Sequence, residues 1–200
     1  MVMITGDAKD TAQAIAREVG ILETEKDLIL TSTQLGEFSD QEIKNILPDL
    51  RVVARALPTD KSRLVKLAKS MDWVVGMTGD GVNDAPAVKN ADVGFSMGNG
   101  TDMTKESSDI VILDNNFYSL TNAVRYGRTL LKSIRKFLIF QLTVNVAAVL
   151  VAFLGPFFGT DLPLTMTQLL WINIVMDTLA AFAFSGETAL RRYMKRKTNS

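Results

Sequence analysis

Residues 137–186 carry only two charges, Asp161 and Asp177, while the other 150 residues carry 42. Within that stretch residues 137–158 hold no charge at all. As a helix, such a run spans about 33 Å, against a hydrocarbon core of about 30 Å. Gly159, Thr160, Asp161 and Pro163 suit a short turn, and residues 164–186 supply a second span whose one charge is Asp177. The pattern predicts a helical transmembrane hairpin. The alternative is that both runs pack inside a water-soluble globule, although soluble helices seldom run this long without charge.

The rest of the chain fixes the chemistry open to it. Residues 1–118 hold 12 Lys/Arg against 19 Asp/Glu, and residues 119–136 hold five basic residues and no acid. This predicts an acidic α/β part (1–118), a basic cytoplasmic stalk helix (119–136), a span (137–158), an extracytoplasmic turn (159–163), a second span (164–186) and a basic tail (187–200). Arg125, Arg128, Lys132, Arg135 and Lys136 precede the first span, and Arg191, Arg192, Lys195, Arg196 and Lys197 follow the second. Basic residues favour the cytoplasmic side, so both termini are expected there. No signal peptide is visible after Met1. Cys and His are absent, which excludes disulfides, thiolate metal sites and imidazole catalysis. Carboxylate, amide and hydroxyl oxygens, helped by Lys or Arg, remain, and they suit Mg²⁺ or Ca²⁺ and phosphate.

In residues 1–118 strand-like and helix-like segments alternate: 2–5 and 11–19, 51–55 and 60–70, 73–77 and 83–90, with further strands near 28–30, 93–96 and 110–113 and a short helix at 40–47. That rhythm predicts a parallel, doubly wound sheet, whose ligands bind at the carboxyl ends of the strands. Two apolar runs end there in the same triplet, Thr5-Gly6-Asp7 and Thr78-Gly79-Asp80. The second continues as Gly81-Val82-Asn83-Asp84-Ala85-Pro86-Ala87. Crowded acids repel unless a cation or base compensates them, and Mg²⁺ held by carboxylate and substrate phosphate would do so. The alternative is a solvated turn in which Asp84 caps the helix beginning near Ala85. Lys61, at the start of a helix on the same edge, could neutralise charge during phosphoryl transfer, or be a surface lysine.

In the membrane segment, Asn145 lies about 12 Å from one face and Asp177 about 20 Å from the other, so the two meet at similar depth. Gln141 lies one turn from Asn145, and Asn173 one turn from Asp177. Asn145 alone could be hydrogen-bond glue between helices. A carboxylate at that depth costs several kcal/mol unless paired, protonated or bound to a cation, so Asp177 marks an ion site by default.

Together the decapeptide 78–87, Thr5-Gly6-Asp7, residues 54–64 and 100–117, and Trp171-Ile172-Asn173-Ile174-Val175-Met176-Asp177-Thr178 resemble P-type cation ATPases, specifically calcium pumps of the plasma-membrane type. The resemblance runs to about Gly186. It implies a partial haloacid-dehalogenase-like domain and the fifth and sixth membrane helices of a pump. It implies that Asp80 coordinates the catalytic Mg²⁺ with Asn83 and Asp84 organising the site. Thr5, Gly6 and Asp7, with Thr78 and Gly79, would cradle the phosphoryl group, and Lys61 would stabilise its charge. Asn145, Asn173 and Asp177 would bind Ca²⁺. Ala148 replaces the acid of two-site pumps, implying one Ca²⁺ per cycle. The family's phosphorylated Asp-Lys-Thr-Gly-Thr string is absent, so the resemblance is to a C-terminal-side fragment that should not turn over ATP alone. Expected partners are membrane lipid, Ca²⁺ and the remaining pump segments or an intact pump, and no nucleic acid. Two other readings stay open: a membrane-anchored Mg²⁺-dependent phosphatase, and a non-catalytic regulatory subunit of a pump. Mn²⁺ accepts the same oxygen ligands as Ca²⁺.

Overall fold

A computed structural model describes residues 1–159, 165–186 and 188. Of the predicted turn (159–163) residues 160–163, and of the basic tail (187–200) all but residue 188, lie outside the described residues. The chain divides after Leu120 into an α/β unit and a helical unit.

The α/β unit runs β1 (Met3–Ile4), α1 (Lys9–Glu18), β2 (Leu28–Thr31), α2 (Ser32–Glu37), α3 (Asp40–Ile46), β3 (Leu50–Ala54), α4 (Pro58–Lys69) and β4 (Gly76–Gly79). A 3-10 turn (Val82–Asp84), α5 (Ala85–Asn90), β5 (Val93–Met97), α6 (Asp102–Glu106) and β6 (Ile110–Ile112) follow. The strands form two parallel sheets, β1-β3-β2 and β4-β5-β6. β3 is central to the first and apolar at nearly every position. Val52 and Ala54 meet Ala12 and Ala16 of α1, while Leu50 and Val53 join Leu35, Ile43, Leu64 and Leu67. Burial on both faces is what a parallel strand between helices requires. Each sheet ends at a strand carrying a Thr-Gly-Asp triplet, β1 and β4. A largely apolar cavity of about 250 Å³ is lined from both, by Val2, Ile4, Val75 and Met77, and by Leu64 and Ala68 of α4.

Several boundaries differ from the sequence expectation. The strand expected at 73–77 forms later, because Asp72 turns through a left-handed backbone (φ 59°) and Trp73 and Val74 are exposed. The helix expected at 83–90 opens as a 3-10 turn before α5. Helices α2 and α6 were not expected; Thr31 with Gln34 forms a capping box for the first, and Thr101 caps the second.

In the helical unit, α7 (Phe117–Leu154) is a single helix of 38 residues that begins before the unit boundary and continues through the basic stretch. Gly155 and Pro156 convert it to a 3-10 turn, which Gly159 closes with φ 81°. α8 (Met166–Ser185) starts with a Thr165–Gln168 capping box. Residues Phe117–Phe158 and Met166–Ser185 are long and apolar enough to cross a membrane, and their most apolar windows are 0% and 6% buried. The soluble-globule alternative is therefore rejected, since its spans would be covered by protein. The Phe184 ring meets Phe137 and Phe140 edge-on, with centroids 6.5 and 6.2 Å apart, so the start of one span packs on the end of the other.

Candidate functional site

The second Thr-Gly-Asp triplet sits where β4 ends, and its loop is built around Asp84. A side chain at position 79 would put its Cβ 2.4 Å from the Asp84 Cβ and 2.9 Å from Val88, so only glycine allows β4 this close to the 3-10 turn. Asp84 is buried. Its Oδ1 pairs with Lys61 Nζ at 2.5 Å, and its Oδ2 accepts long hydrogen bonds from the backbone N–H groups of Asp80 and Gly81. It makes no side-chain cap to α5. The capping alternative is thus corrected: the carboxylate turns toward Lys61 and its own loop.

Lys61 reaches this point because Pro58 pre-sets the first turn of α4 and Asp60 fixes its start. Asp60 is buried, accepting from Ser32 Oγ at 2.6 Å and from the Leu57 N–H at 2.8 Å. The lysine therefore crosses from the β1-β3-β2 half of the unit to the loop after β4. Asp80 and Asn83 are exposed, and the Asp80 carboxylate has no hydrogen bond or ion pair among the described residues. No cluster of three acidic side chains occurs among them. Mg²⁺ suits this arrangement, because it binds through one or two carboxylates and completes its shell with water and substrate phosphate. Asp80 is a carboxylate that could hold it; Asp84 is paired with Lys61.

The first triplet is held differently. Thr5 Oγ1 donates to Asp7 Oδ2 at 2.7 Å, and the N–H groups of Arg55 and Ala56 donate to the carbonyls of Asp7 and Thr5, both at 2.9 Å. Arg55 adopts φ 50° to make this turn, a left-handed backbone that is uncommon for a residue with a side chain. Gly6 and Asp7 stay exposed at the carboxyl end of β1.

Sequence reasoning missed the residues that brace these loops. Thr104 is fully buried; its hydroxyl donates to the Gly81 carbonyl at 2.8 Å and lies 2.8 Å from the Thr101 hydroxyl. The Thr101 N–H donates to the Asp80 carbonyl at 2.9 Å. Gly100 is forced by the same contact, since its Cβ would lie 2.9 Å from the Met97 carbonyl and 3.2 Å from that of Asp80. The Gly-Thr pair at 100–101 was the available signal; nothing local announced Thr104.

In the helical unit Asn145 lies on α7, and Asn173 and Asp177 on α8, spaced by one turn. Asp177 is half-buried, while both asparagines are exposed.

Known proteins resemble the two parts of the chain separately. Residues 62–124 match the family model described as haloacid dehalogenase-like hydrolase, and residues 161–200 the one described as cation transporting ATPase, C-terminus. A zinc-transporting PIB-type ATPase crystallised in its E2.Pi state superposes with a TM-score of 0.62 and 28% identity, over 92% of this chain and 24% of that one. A haloacid-dehalogenase-like α/β unit followed by a membrane hairpin, in one chain, defines the class: the chain belongs to the P-type cation-transporting ATPases, a family of translocases. Within that family it matches plasma-membrane-type calcium-transporting ATPases. It is 47% identical to calcium-transporting ATPase 12 of Arabidopsis thaliana and to plasma membrane calcium-transporting ATPase 1 of Homo sapiens, over 98% of its length in each case. It is 48% identical to calcium-transporting ATPase 3 of Oryza sativa subsp. japonica over 97%. The chain spans less than a fifth of these relatives' length (17–19%). Such a chain is an integral membrane protein.

Proposed function

We propose that the chain forms part of an ATP-driven calcium pump, contributing both a portion of the phosphorylation site and a portion of the path for Ca²⁺. The observation that carries this reading is the Lys61–Asp84 pair, which ties the start of α4, after β3, to the loop of the second Thr-Gly-Asp triplet, while the first triplet is hydrogen-bonded to the same turn after β3. A phosphoryl group seated there would meet Thr5, Gly6 and Asp7 from one side, and Thr78, Gly79 and the Asp80 loop from the other. Asp80 would hold Mg²⁺ with support from Asn83 and Asp84, and Lys61 would offset charge on the transferring phosphoryl oxygens. Mg²⁺, when bound, would neutralise phosphate charge. The sequence has no Asp-Lys-Thr-Gly-Thr string, so the phosphorylated aspartate comes from another pump segment. The edges of β1 and β4, which pair with no further strand among the described residues, and the apolar cavity they share support entry of that segment as one further parallel strand. In the membrane, Asn145, Asn173 and Asp177 would bind the transported Ca²⁺, with both chain ends on the cytoplasmic side and lipid around the exposed spans.

Two variants in a full-length pump carrying this sequence separate the two halves of the reading. Asp80→Asn should abolish phosphorylation from either ATP or inorganic phosphate. Asp177→Asn should abolish Ca²⁺-activated turnover but leave membrane insertion and phosphorylation by inorganic phosphate intact. Normal Ca²⁺ activation in the Asp177 variant would reject the membrane half, and normal phosphorylation in the Asp80 variant would reject the other.

A further inference from the structure

Asp80 and Gly81 lie between two sets of hydrogen bonds of unequal length. On one side the N–H groups of both residues donate to Asp84 Oδ2 at 3.4 and 3.5 Å, longer than an ordinary N–H···O bond. On the other side both carbonyls are held closely. The Asp80 carbonyl accepts the Thr101 N–H at 2.9 Å. The Gly81 carbonyl accepts the Thr104 hydroxyl at 2.8 Å, beside the Asp84 N–H at 2.9 Å that closes the 3-10 turn. A hydroxyl has one proton to donate. Thr104 gives its proton to Gly81, so the Thr101 hydroxyl, 2.8 Å away, donates to Thr104. A chain of donors thus runs from Thr101, which is exposed, through Thr104, which is fully buried, into the backbone of the Asp80 loop.

Steric contact does not hold Gly81. A Cβ there would meet only Asp84 Oδ2, at 3.9 Å, in contrast to the crowding at Gly79. Glycine is also the residue with the freest backbone, so hydrogen bonds fix the peptide planes on either side of it. Asp80 sits at the edge of the first of these planes, and its carboxylate turns with that plane. Mg²⁺ demands near-octahedral geometry, which a ligand free to swing does not supply. We propose that Thr104 is a positioning residue for Asp80: through the Gly81 carbonyl, its hydroxyl sets the direction in which the Asp80 carboxylate meets Mg²⁺. This rests on the reading of Asp80 as a Mg²⁺ ligand.

Thr104→Val keeps the shape of the side chain and removes the hydroxyl. In a full-length pump carrying this sequence it should raise the Mg²⁺ concentration for half-maximal phosphorylation by inorganic phosphate about tenfold, as loss of a supporting partner does at other metal sites. With no metal present, the amides of residues 80–84 should exchange their hydrogens faster. Those of residues 5–7, held by their own bonds, should keep the parent rate. Thr104→Ser, which retains the hydroxyl, should restore both readouts. A loop that is only less stable would give less phosphoprotein at every Mg²⁺ concentration and leave the half-saturating value where it was. Thr101→Ala, at the exposed end of the chain, should shift the Mg²⁺ requirement the same way by a smaller factor. An unshifted requirement in Thr104→Val, or in Thr101→Ala should the first variant not fold, would overturn the inference alone, provided Asp80→Asn loses phosphorylation. An equal shift in Thr104→Ser would also overturn it, by showing that packing of the methyl group matters and the hydroxyl does not. Normal phosphorylation in Asp80→Asn would instead remove the reading on which it rests.

Discussion

The two units treat their polar groups in opposite ways. In the α/β unit Thr5, Asp60, Lys61, Asp84 and Thr104 each have a hydrogen-bonding or ionic partner supplied by the unit itself. In the helical unit Asn145 and Asn173 are exposed and the Gln141 oxygen has no hydrogen-bond partner among the described residues. A loop at a strand end has free backbone groups close by, so its carboxylates and hydroxyls can be satisfied locally. A membrane helix commits its N–H groups internally, so hydroxyls such as those of Thr143 and Thr178 can still donate to the carbonyl four residues back, whereas an amide or carboxylate oxygen needs a ligand or another helix. The loops of the α/β unit are preorganised by its own sequence, whereas the proposed membrane site would be completed from outside.

That contrast can be broken first at Gly79. Replacement by Ala places a Cβ inside contact distance of both Asp84 and Val88, and neither can retreat without opening the loop. Overpacking of this kind costs about 1–3 kcal/mol. The expected result is a clear drop in the denaturation midpoint of the α/β unit in the detergent-solubilised chain, with Lys61 no longer positioned on Asp84. An unchanged midpoint would mean that the loop is softer than its contacts imply.

A paired substitution sharpens the comparison further. Thr104→Val removes the hydroxyl and leaves the Gly81 carbonyl without its donor, a loss of about 1–3 kcal/mol for a buried group. Asn145→Leu, in the helical unit, exchanges an unpartnered amide for an apolar side chain and should leave insertion and thermal stability unchanged or slightly improved. Equal destabilisation in the two variants would show that the membrane asparagine is already engaged within the hairpin, contrary to the contrast drawn above.

The same physics decides what could be read from the sequence. The membrane spans were legible because absence of charge over some twenty residues has few other causes, and the Asp80 loop because glycines and acids were adjacent in the chain. The start of β4 was not. Trp73, Val74 and Val75 have strand composition, but Asp72 turns the chain ahead of them and the Asp92 carboxylate takes the Val75 N–H. Helices α2 and α6 are too short for a 3.6-residue period to emerge, so only their caps could have announced them. Thr104 and Asp60 act on groups more than twenty residues away, and no local pattern encodes such a contact.

Asp92 provides the mildest probe of local satisfaction. Its carboxylate accepts the Val75 N–H at 2.8 Å and pairs with Lys69 at 3.0 Å, fastening the start of β4 to the end of α4. The backbone hydrogen bond, followed by the hydrogen bond to Lys69, holds its pKa below the ordinary carboxylate value of 3.8. A depressed folded-state pKa contributes stability that is complete above the unfolded value and disappears as the pH falls through the folded one. Both groups are more than a third exposed, so solvent screens the pair and the contribution is small. Asp92→Asn should therefore lower stability slightly near neutrality and flatten its decline below about pH 4, the region set by the unshifted carboxylate. Thermal midpoints of the parent and the variant should converge in acid. Curves that stay parallel down to low pH would show that the neutral amide replaces the carboxylate fully, and that the charge on Asp92 adds nothing to the junction between β4 and α4.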